Sequence, residues 1–239
     1  MIERTRGIVL RKVRYGDTGL IVDIYTEARG TVAFLARTGR STRARAQALA
    51  PLALVEVAFR WRPQQSLQRL DEVQVARPYT TLDLDPVKAS VALYVQELLY
   101  HALKHEVASA ELYRYVVEGL EWLDSHSEGL ANFHLAFTLR LTLHLGLWPR
   151  VEGWHEGCLF DLKEGVMTDR CPPHPYWLAA SDAARLPLIS RMTLRSMRLY
   201  RMNRMQRNVI LDALLTYYRL HVPEFPALKS VEMLREVFA

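Results

Sequence analysis

The chain has 239 residues, of which 50% are apolar and 24% charged, enough to build a packed core and too apolar for global disorder. No apolar run approaches the roughly 18 residues that span a bilayer, the first residues lack a signal-peptide apolar stretch, and two cysteines are too few for a disulfide framework, so a cytoplasmic protein is expected. The net charge of +5 is unevenly held: residues 1–80 carry 14 Lys and Arg against 7 Asp and Glu, and the remainder 17 against 19, which points to a polyanion partner for the first third.

The first 80 residues read as strands. Gly7–Val13, Leu20–Thr26, Thr31–Ala36, Pro51–Trp61 and Leu67–Ala76 are short, apolar or alternating segments separated by turn signals such as Asp17, Gly19 and Arg29-Gly30. Five strands in this length suit a small closed barrel, and the five-stranded OB-fold is the natural candidate. Between the third and fourth strands, Arg37 to Arg45 holds four arginines and no acid, and reads as a basic loop.

Residues 78–86 look like a linker. Helical spacing follows over Val87–His105, from Ser109 or Ala110 to Leu123, and over Asn132–Leu147, the last apolar on most sides and so central to a core. Glycines and prolines crowd residues 148–180, where Leu159–Leu162 and Val166–Thr168 suggest a small hairpin. Helical patterning returns near Met192–Leu199, is strongest over Arg207–His221, and ends with an amphipathic segment at Leu228–Phe238. The reading is an α+β chain: an OB-fold barrel over residues 1–80, then a helical domain over 81–239 with a small insert at about 148–180.

Motifs of catalysis are missing. There is no P-loop, dinucleotide-binding glycine motif or nucleophile elbow. Asp83 and Asp85 read as helix-start signals, and His101 and His105 as surface histidines without an H-E-x-x-H context. One constellation carries metal chemistry: His155-x-x-Cys158 and Cys171-x-x-His174 flank the hairpin as two chelating pairs. Four protein ligands close a zinc site and make it structural. The alternative is a small core cysteine and a turn histidine.

A barrel of this kind grips single strands with a positive groove and aromatic platforms. Arg6, Arg11, Lys12, Arg14, Arg29, Arg37, Arg40, Arg43 and Arg45 could supply the groove, and Tyr15, Tyr25, Phe34 and Trp61 the platforms. Phe34 and Phe59 sit inside apolar runs and belong to the core; Tyr15, before the Gly16-Asp17 turn, is the ring most expected at the surface. Two other classes compete. A metal-dependent nucleic-acid enzyme would need a general base, for which Glu156 and Glu164 are the nearby groups, and a transcription regulator could use the basic Arg201–Asn208 stretch.

Together, Gly7-Ile8-Val9-Leu10, Tyr15-Gly16-Asp17, Ile21-Val22, Thr26, Gly30, Arg37-Thr38-Gly39-Arg40 and Leu49-Ala50-Pro51-Leu52 with Val55-Glu56 resemble the opening of the bacterial RecO family of DNA repair proteins. Tyr217 to Pro223, Leu228-Lys229-Ser230 and Leu234 to Phe238 resemble the ending of one branch. The resemblance implies an OB domain, a helical domain with a zinc-finger-like insert, and no nucleotide-hydrolysing site. It implies binding of single- and double-stranded DNA, annealing of complementary strands, and loading of RecA, with RecR and the acidic C-terminal tail of single-strand-binding protein as partners. Many members carry C-x-x-C pairs in the insert where this chain has H-x-x-C and C-x-x-H; some branches lack metal ligands there.

Overall fold

The computed structural model describes residues 2–17, 19–37, 43–82 and 84–238. These fold as two compact units, one made of Met1–Asp85 with Val95–Asp124, the other of Pro86–Tyr94 with Ser125–Ala239.

The first unit is built on a closed barrel of β1 (Glu3–Tyr15), β2 (Gly19–Thr26), β3 (Gly30–Arg37), β4 (Leu54–Phe59) and β5 (Leu67–Arg77), in the order β1-β2-β3-β5-β4. β3 and β5 pair in parallel, all other neighbours antiparallel. This is the arrangement expected of the OB-fold. The predicted alternation closes the barrel on itself: Val9, Val22, Ile24, Val32, Phe34, Val55, Val57, Phe59 and Leu70 fill its interior, with Phe34 and Phe59 edge to face at 5.0 Å. The fourth strand is shorter than its apolar run, because Leu52 takes a left-handed turn (φ 64°) before it starts.

A bulge at Leu10, where pairing slips between Val9 and Arg11, leaves Ile8, Val9 and Leu10 all fully buried. Val9 goes into the barrel core, while Ile8 and Leu10 lie outside it. The outer face is covered within the same unit by the second half of α2 (Pro86–Ala102) and by α3 (Ala110–Ser125) with the segment joining them. The Gln96 amide donates to the Leu10 carbonyl, the Tyr25 hydroxyl to the Val107 carbonyl at 3.3 Å, and the Thr31 N–H to the Glu106 carbonyl at 3.1 Å. The approach is close enough that Gly30, at φ 72°, has no room for a side chain: a Cβ there would stand 2.2 Å from the Glu106 carbonyl oxygen.

The second unit holds α4 (Leu130–His144), α7 (Arg204–His221) and α8 (Ser230–Val237). α4 is the central helix expected from its sequence, buried along nearly its whole length, and its Thr138 carbonyl accepts from the Tyr218 hydroxyl of α7 at 2.9 Å. α7 begins three residues earlier than its apolar pattern, because Asn203 and Gln206 form a reciprocal capping box. The insert contains the predicted hairpin, β6 (Leu159–Asp161) and β7 (Val166–Thr168), extended by β8 (Trp177–Leu178) on the far side of β6. Two short helices follow, α5 (Ala180–Ala183) and α6 (Leu186–Ser190). The helix expected at Met192–Leu199 is only a 3₁₀ turn at Met197–Leu199.

Candidate nucleic-acid interface

The basic side chains predicted for the barrel divide into two groups. One group is neutralised by cross-strand partners. Arg6 meets Glu27 in a bidentate pair with both contacts at 2.9 Å. Arg29 meets Glu3 at 3.1 and 3.0 Å and lies 4.6 Å over the Trp61 ring. Arg4, outside the sequence-based set, meets Glu72 at 2.8 Å. Arg4, Arg6, Glu27, Glu56 and Glu72 share the wall of a cavity of the barrel surface of about 770 Å³. With its arginines matched by acids, that cavity offers a phosphate little uncompensated positive charge.

The other group converges at the opposite end of β1. The register sets Arg14 beside Leu20 and Tyr15 beside Gly19, and these beside Ala36 and Arg37 of β3. Tyr15 and Arg37 therefore share one row with Gly19 between them, about 10 Å apart at the ordinary strand spacing. The helix α1 (Arg43–Ala48) follows, and Arg45 on it faces the same place. Lys12, Arg14, Arg37 and Arg45 line one depression of about 290 Å³ with Leu20, Ala46 and Leu49. Arg37 and Arg45 also line a neighbouring one of about 230 Å³ with Arg69 and Asp71. Asp71 is engaged by Arg69 at 3.5 Å, so five basic side chains line this pair of hollows against one acid. Tyr15 is 56% exposed beside them.

The remaining predicted residues are corrected or displaced. Tyr25 and Phe34 are fully buried and cannot act as platforms; burial pushes the Tyr25 hydroxyl up to about 12. Trp61 is half-buried against Phe59 beneath Arg29. Arg11 turns to α2, where its guanidinium lies 4.9 Å over the Tyr100 ring and donates to the Tyr100 hydroxyl. Tyr100 is a partner that spacing along the chain could not reveal. The basic loop is a helix from Arg43 onward: an Ala-, Arg- and Gln-rich stretch has helical propensity without an apolar stripe to announce it. Arg40 lies outside the described residues, and Arg43 is placed only by its backbone.

The zinc expectation does not fit the insert. His155 pairs with Asp169 at 2.9 Å. Buried Cys158 is 3.8 Å from the Met167 sulfur. Cys171 is exposed, its thiol 3.8 Å from the Pro172 carbonyl oxygen. His174 points to Asp161 at 3.4 Å. Among the described residues no three His, Cys, Asp or Glu side chains gather closely enough to hold a metal. The insert is organised by Asp161 instead. One of its carboxylate oxygens accepts from the N–H groups of Lys163 and Glu164 at 2.8 and 3.0 Å. Phe160 and Leu162 on either side pack with Val151, Ala183, Leu186, Ala213 and Tyr217.

Comparison with known proteins divides the chain near residue 80, at the end of the barrel strands. A family model described as "Recombination protein O N terminal" matches residues 1–79, and one described as "Recombination protein O C terminal" matches residues 83–231. "DNA repair protein RecO" of Phocaeicola vulgatus is 38% identical over 241 residues, covering all of both chains. The proteins of the same description from Bacteroides fragilis and Porphyromonas gingivalis are 39% and 31% identical, again with both chains covered in full. Among the described residues, no helix is long and apolar enough to cross a membrane.

Proposed function

Because the chain belongs to the RecO family of DNA repair proteins, we propose that it is a recombination mediator that holds a DNA strand on the hollow formed by Lys12, Arg14, Arg37 and Arg45. The observation that supports this reading is their convergence beside exposed Tyr15, while Arg4, Arg6 and Arg29 are paired with glutamates. Phosphodiesters would run along the four cations and a base would stack on Tyr15, a contact worth about 1–3 kcal/mol. Such a site reads no sequence, which suits single- and double-stranded DNA alike. By shielding phosphates it lowers the repulsion that keeps complementary strands apart, which is what strand annealing requires.

The family resemblance extends the reading to RecR, to the acidic C-terminal tail of single-strand-binding protein, and to the loading of RecA onto coated single strands in the cytoplasm, at the nucleoid. No catalytic step is invoked.

The test is a salt titration of the full chain against a fluorescent single-stranded oligonucleotide, with wild type and with Lys12→Ala/Arg14→Ala/Arg37→Ala/Arg45→Ala. Loss of four phosphate contacts should flatten the slope of log affinity against log salt by about 3 for single strands. A parallel Arg6→Ala/Arg29→Ala variant should leave the slope nearly unchanged. Equal effects of the two sets would remove the hollow from the proposal.

A further inference from the structure

In the second unit, Arg191, Arg195, Arg198, Arg201, Arg204 and Arg207 follow one another with no Asp or Glu from Ala183 to Leu211. Among the described residues the one acid in ion-pair reach of these arginines is Glu128, 3.8 Å from Arg198 with both groups exposed. Charge alone does not decide what such a face meets. Two apolar side chains do: Leu199 and Met205 stand among these arginines, 72% and 75% exposed. A solvated phosphate backbone gives such tips nothing apolar to enter. The interface of an anionic bilayer takes apolar tips into its acyl boundary and cations at its phosphates.

The same segments surround a cavity of about 520 Å³ lined by Gly129, Asn132, Arg198, Tyr200, Arg201 and Arg207, among others. Asn132 is 6% exposed, and its orientation is fixed. Its amide nitrogen donates to the carbonyls of Met197 at 3.0 Å and Tyr200 at 2.7 Å, so a flipped amide would set oxygen against oxygen twice. Its Oδ1 is thereby left buried with no donor from the protein. Arg207 shows the converse. Its Nη1 and Nη2 donate to the carbonyls of Met202 at 2.6 Å and Phe238 at 3.3 Å, while its Nε is buried without an acceptor. Burial pushes this guanidinium below its ordinary value, so an anion beside it is favoured. The cavity thus lacks one donor and one acceptor, and each is costly to leave unmet. A ligand that carries an anionic oxygen and a hydroxyl side by side answers both.

We propose that this face docks on an anionic bilayer, and that the cavity takes the headgroup of a phospholipid whose phosphodiester carries free hydroxyls, of which phosphatidylglycerol is the simplest. The phosphodiester meets Arg198, Arg201 and the Nε of Arg207, and a glycerol hydroxyl donates to the Asn132 oxygen. Leu199 and Met205 enter the acyl boundary, and Arg191, Arg195 and Arg204 face neighbouring headgroups. No helix has to cross the membrane. The inference goes beyond the mediator reading and does not depend on the barrel hollow.

The experiment floats the full chain on a density gradient with three kinds of vesicle. One is phosphatidylcholine alone, one is equal parts phosphatidylcholine and phosphatidylglycerol, and one is equal parts phosphatidylcholine and phosphatidylmethanol, which has the same charge and no hydroxyl. The chain should stay behind with phosphatidylcholine alone and float with phosphatidylglycerol. It should bind phosphatidylglycerol about fivefold more tightly than phosphatidylmethanol, the scale of one hydrogen bond. Leu199→Ser/Met205→Ser alters two exposed side chains, and its melting temperature should match wild type. Its affinity for phosphatidylglycerol vesicles should fall about tenfold or more, while its affinity for a single-stranded oligonucleotide stays within about twofold, because phosphate contacts dominate that affinity. Arg201→Ala should weaken vesicle binding about fivefold, the worth of one cation at an anionic surface. Wild-type vesicle binding by the serine variant would overturn the proposal. So would a parallel loss of vesicle and oligonucleotide affinity in that variant, which would make the two tips part of a nucleic-acid face. Equal binding to phosphatidylglycerol and phosphatidylmethanol would remove the headgroup site.

Discussion

Asp124, in the last turn of α3, holds the chain that leaves the barrel. Its carboxylate accepts from the backbone N–H groups of Thr80 (3.0 Å), Thr81 (2.8 Å) and Leu82 (2.8 Å) and from the Thr80 hydroxyl at 2.9 Å. Partial burial alone would raise its pKa, but the hydrogen bonds from Thr81, Thr80 and Leu82 outweigh that and hold it down to about 2, against an ordinary 3.8. A depressed carboxylate stabilises the fold fully above its unfolded pKa, and that contribution is lost as pH falls through the folded one. Asp124→Asn should therefore cost about 1–2 kcal/mol at neutral pH, the usual worth of hydrogen bonds to a charged acceptor that is partly solvated. The gap to wild type should shrink between pH 4 and pH 2. Urea unfolding at three pH values measures both; a gap that is the same throughout would show that the charge of Asp124 is not what holds residues 80–82. None of this is legible in the sequence, where Asp124 sits 42 residues from Leu82 at the end of an ordinary amphipathic helix. The pairs Arg6–Glu27 and Arg29–Glu3 were equally hidden, since they depend on strand register and not on spacing. The sequence-based groove therefore includes two arginines that strand register pairs with glutamates.

Among the secondary elements, legibility follows length and periodicity. The five barrel strands and the long helices repeat their apolar positions often enough to be read, and the hairpin of β6 and β7 is marked by Lys163-Glu164-Gly165 at its turn. The two-residue β8, the four-residue α5 and the five-residue α6 hold too few positions to show any period. In the insert, spacing and geometry diverge for another reason. H-x-x-C and C-x-x-H have the spacing of a metal knuckle, but spacing along the chain does not make side chains converge. In the fold, His174 goes to Asp161 and His155 to Asp169. Asp161 closes the β6–β7 turn through two backbone N–H groups, so the insert should behave as a hydrogen-bonded element. Asp161→Ala should lower stability by about 2 kcal/mol, leaving two N–H groups without their acceptor. Dialysis of the wild type against a strong chelator should leave its melting curve unchanged. A large fall in melting temperature after chelation would show that a metal, and not Asp161, organises the insert.

At the scale of the whole molecule, the charge asymmetry and the place of the barrel are readable from composition, but the extent of the unit around the barrel is not. The apparent linker at residues 78–86 suggests that residues 1–80 would stand alone. In the fold that segment lacks its cover. Ile8, Leu10 and Tyr25 are fully buried yet lie outside the barrel interior. The groups that meet this face, Gln96 at the Leu10 carbonyl, Val107 at the Tyr25 hydroxyl and Glu106 at the Thr31 N–H, all come from beyond residue 80. Exposing three large side chains forfeits about 1.5–3 kcal/mol each, roughly 5–9 kcal/mol together as an upper bound. A domain of this length is stable by only about 4–12 kcal/mol at the common 0.05–0.15 kcal/mol per residue, so the loss is comparable to the whole. A fragment of residues 1–80 should therefore be largely unfolded or associated at 25 °C, whereas the full chain keeps its barrel folded. The check is the dispersion of amide resonances and the sedimentation of the fragment beside the full chain. A monomeric fragment with well-dispersed resonances and a cooperative melt would mean that the barrel interior alone, without the helical cover, carries the stability of this unit.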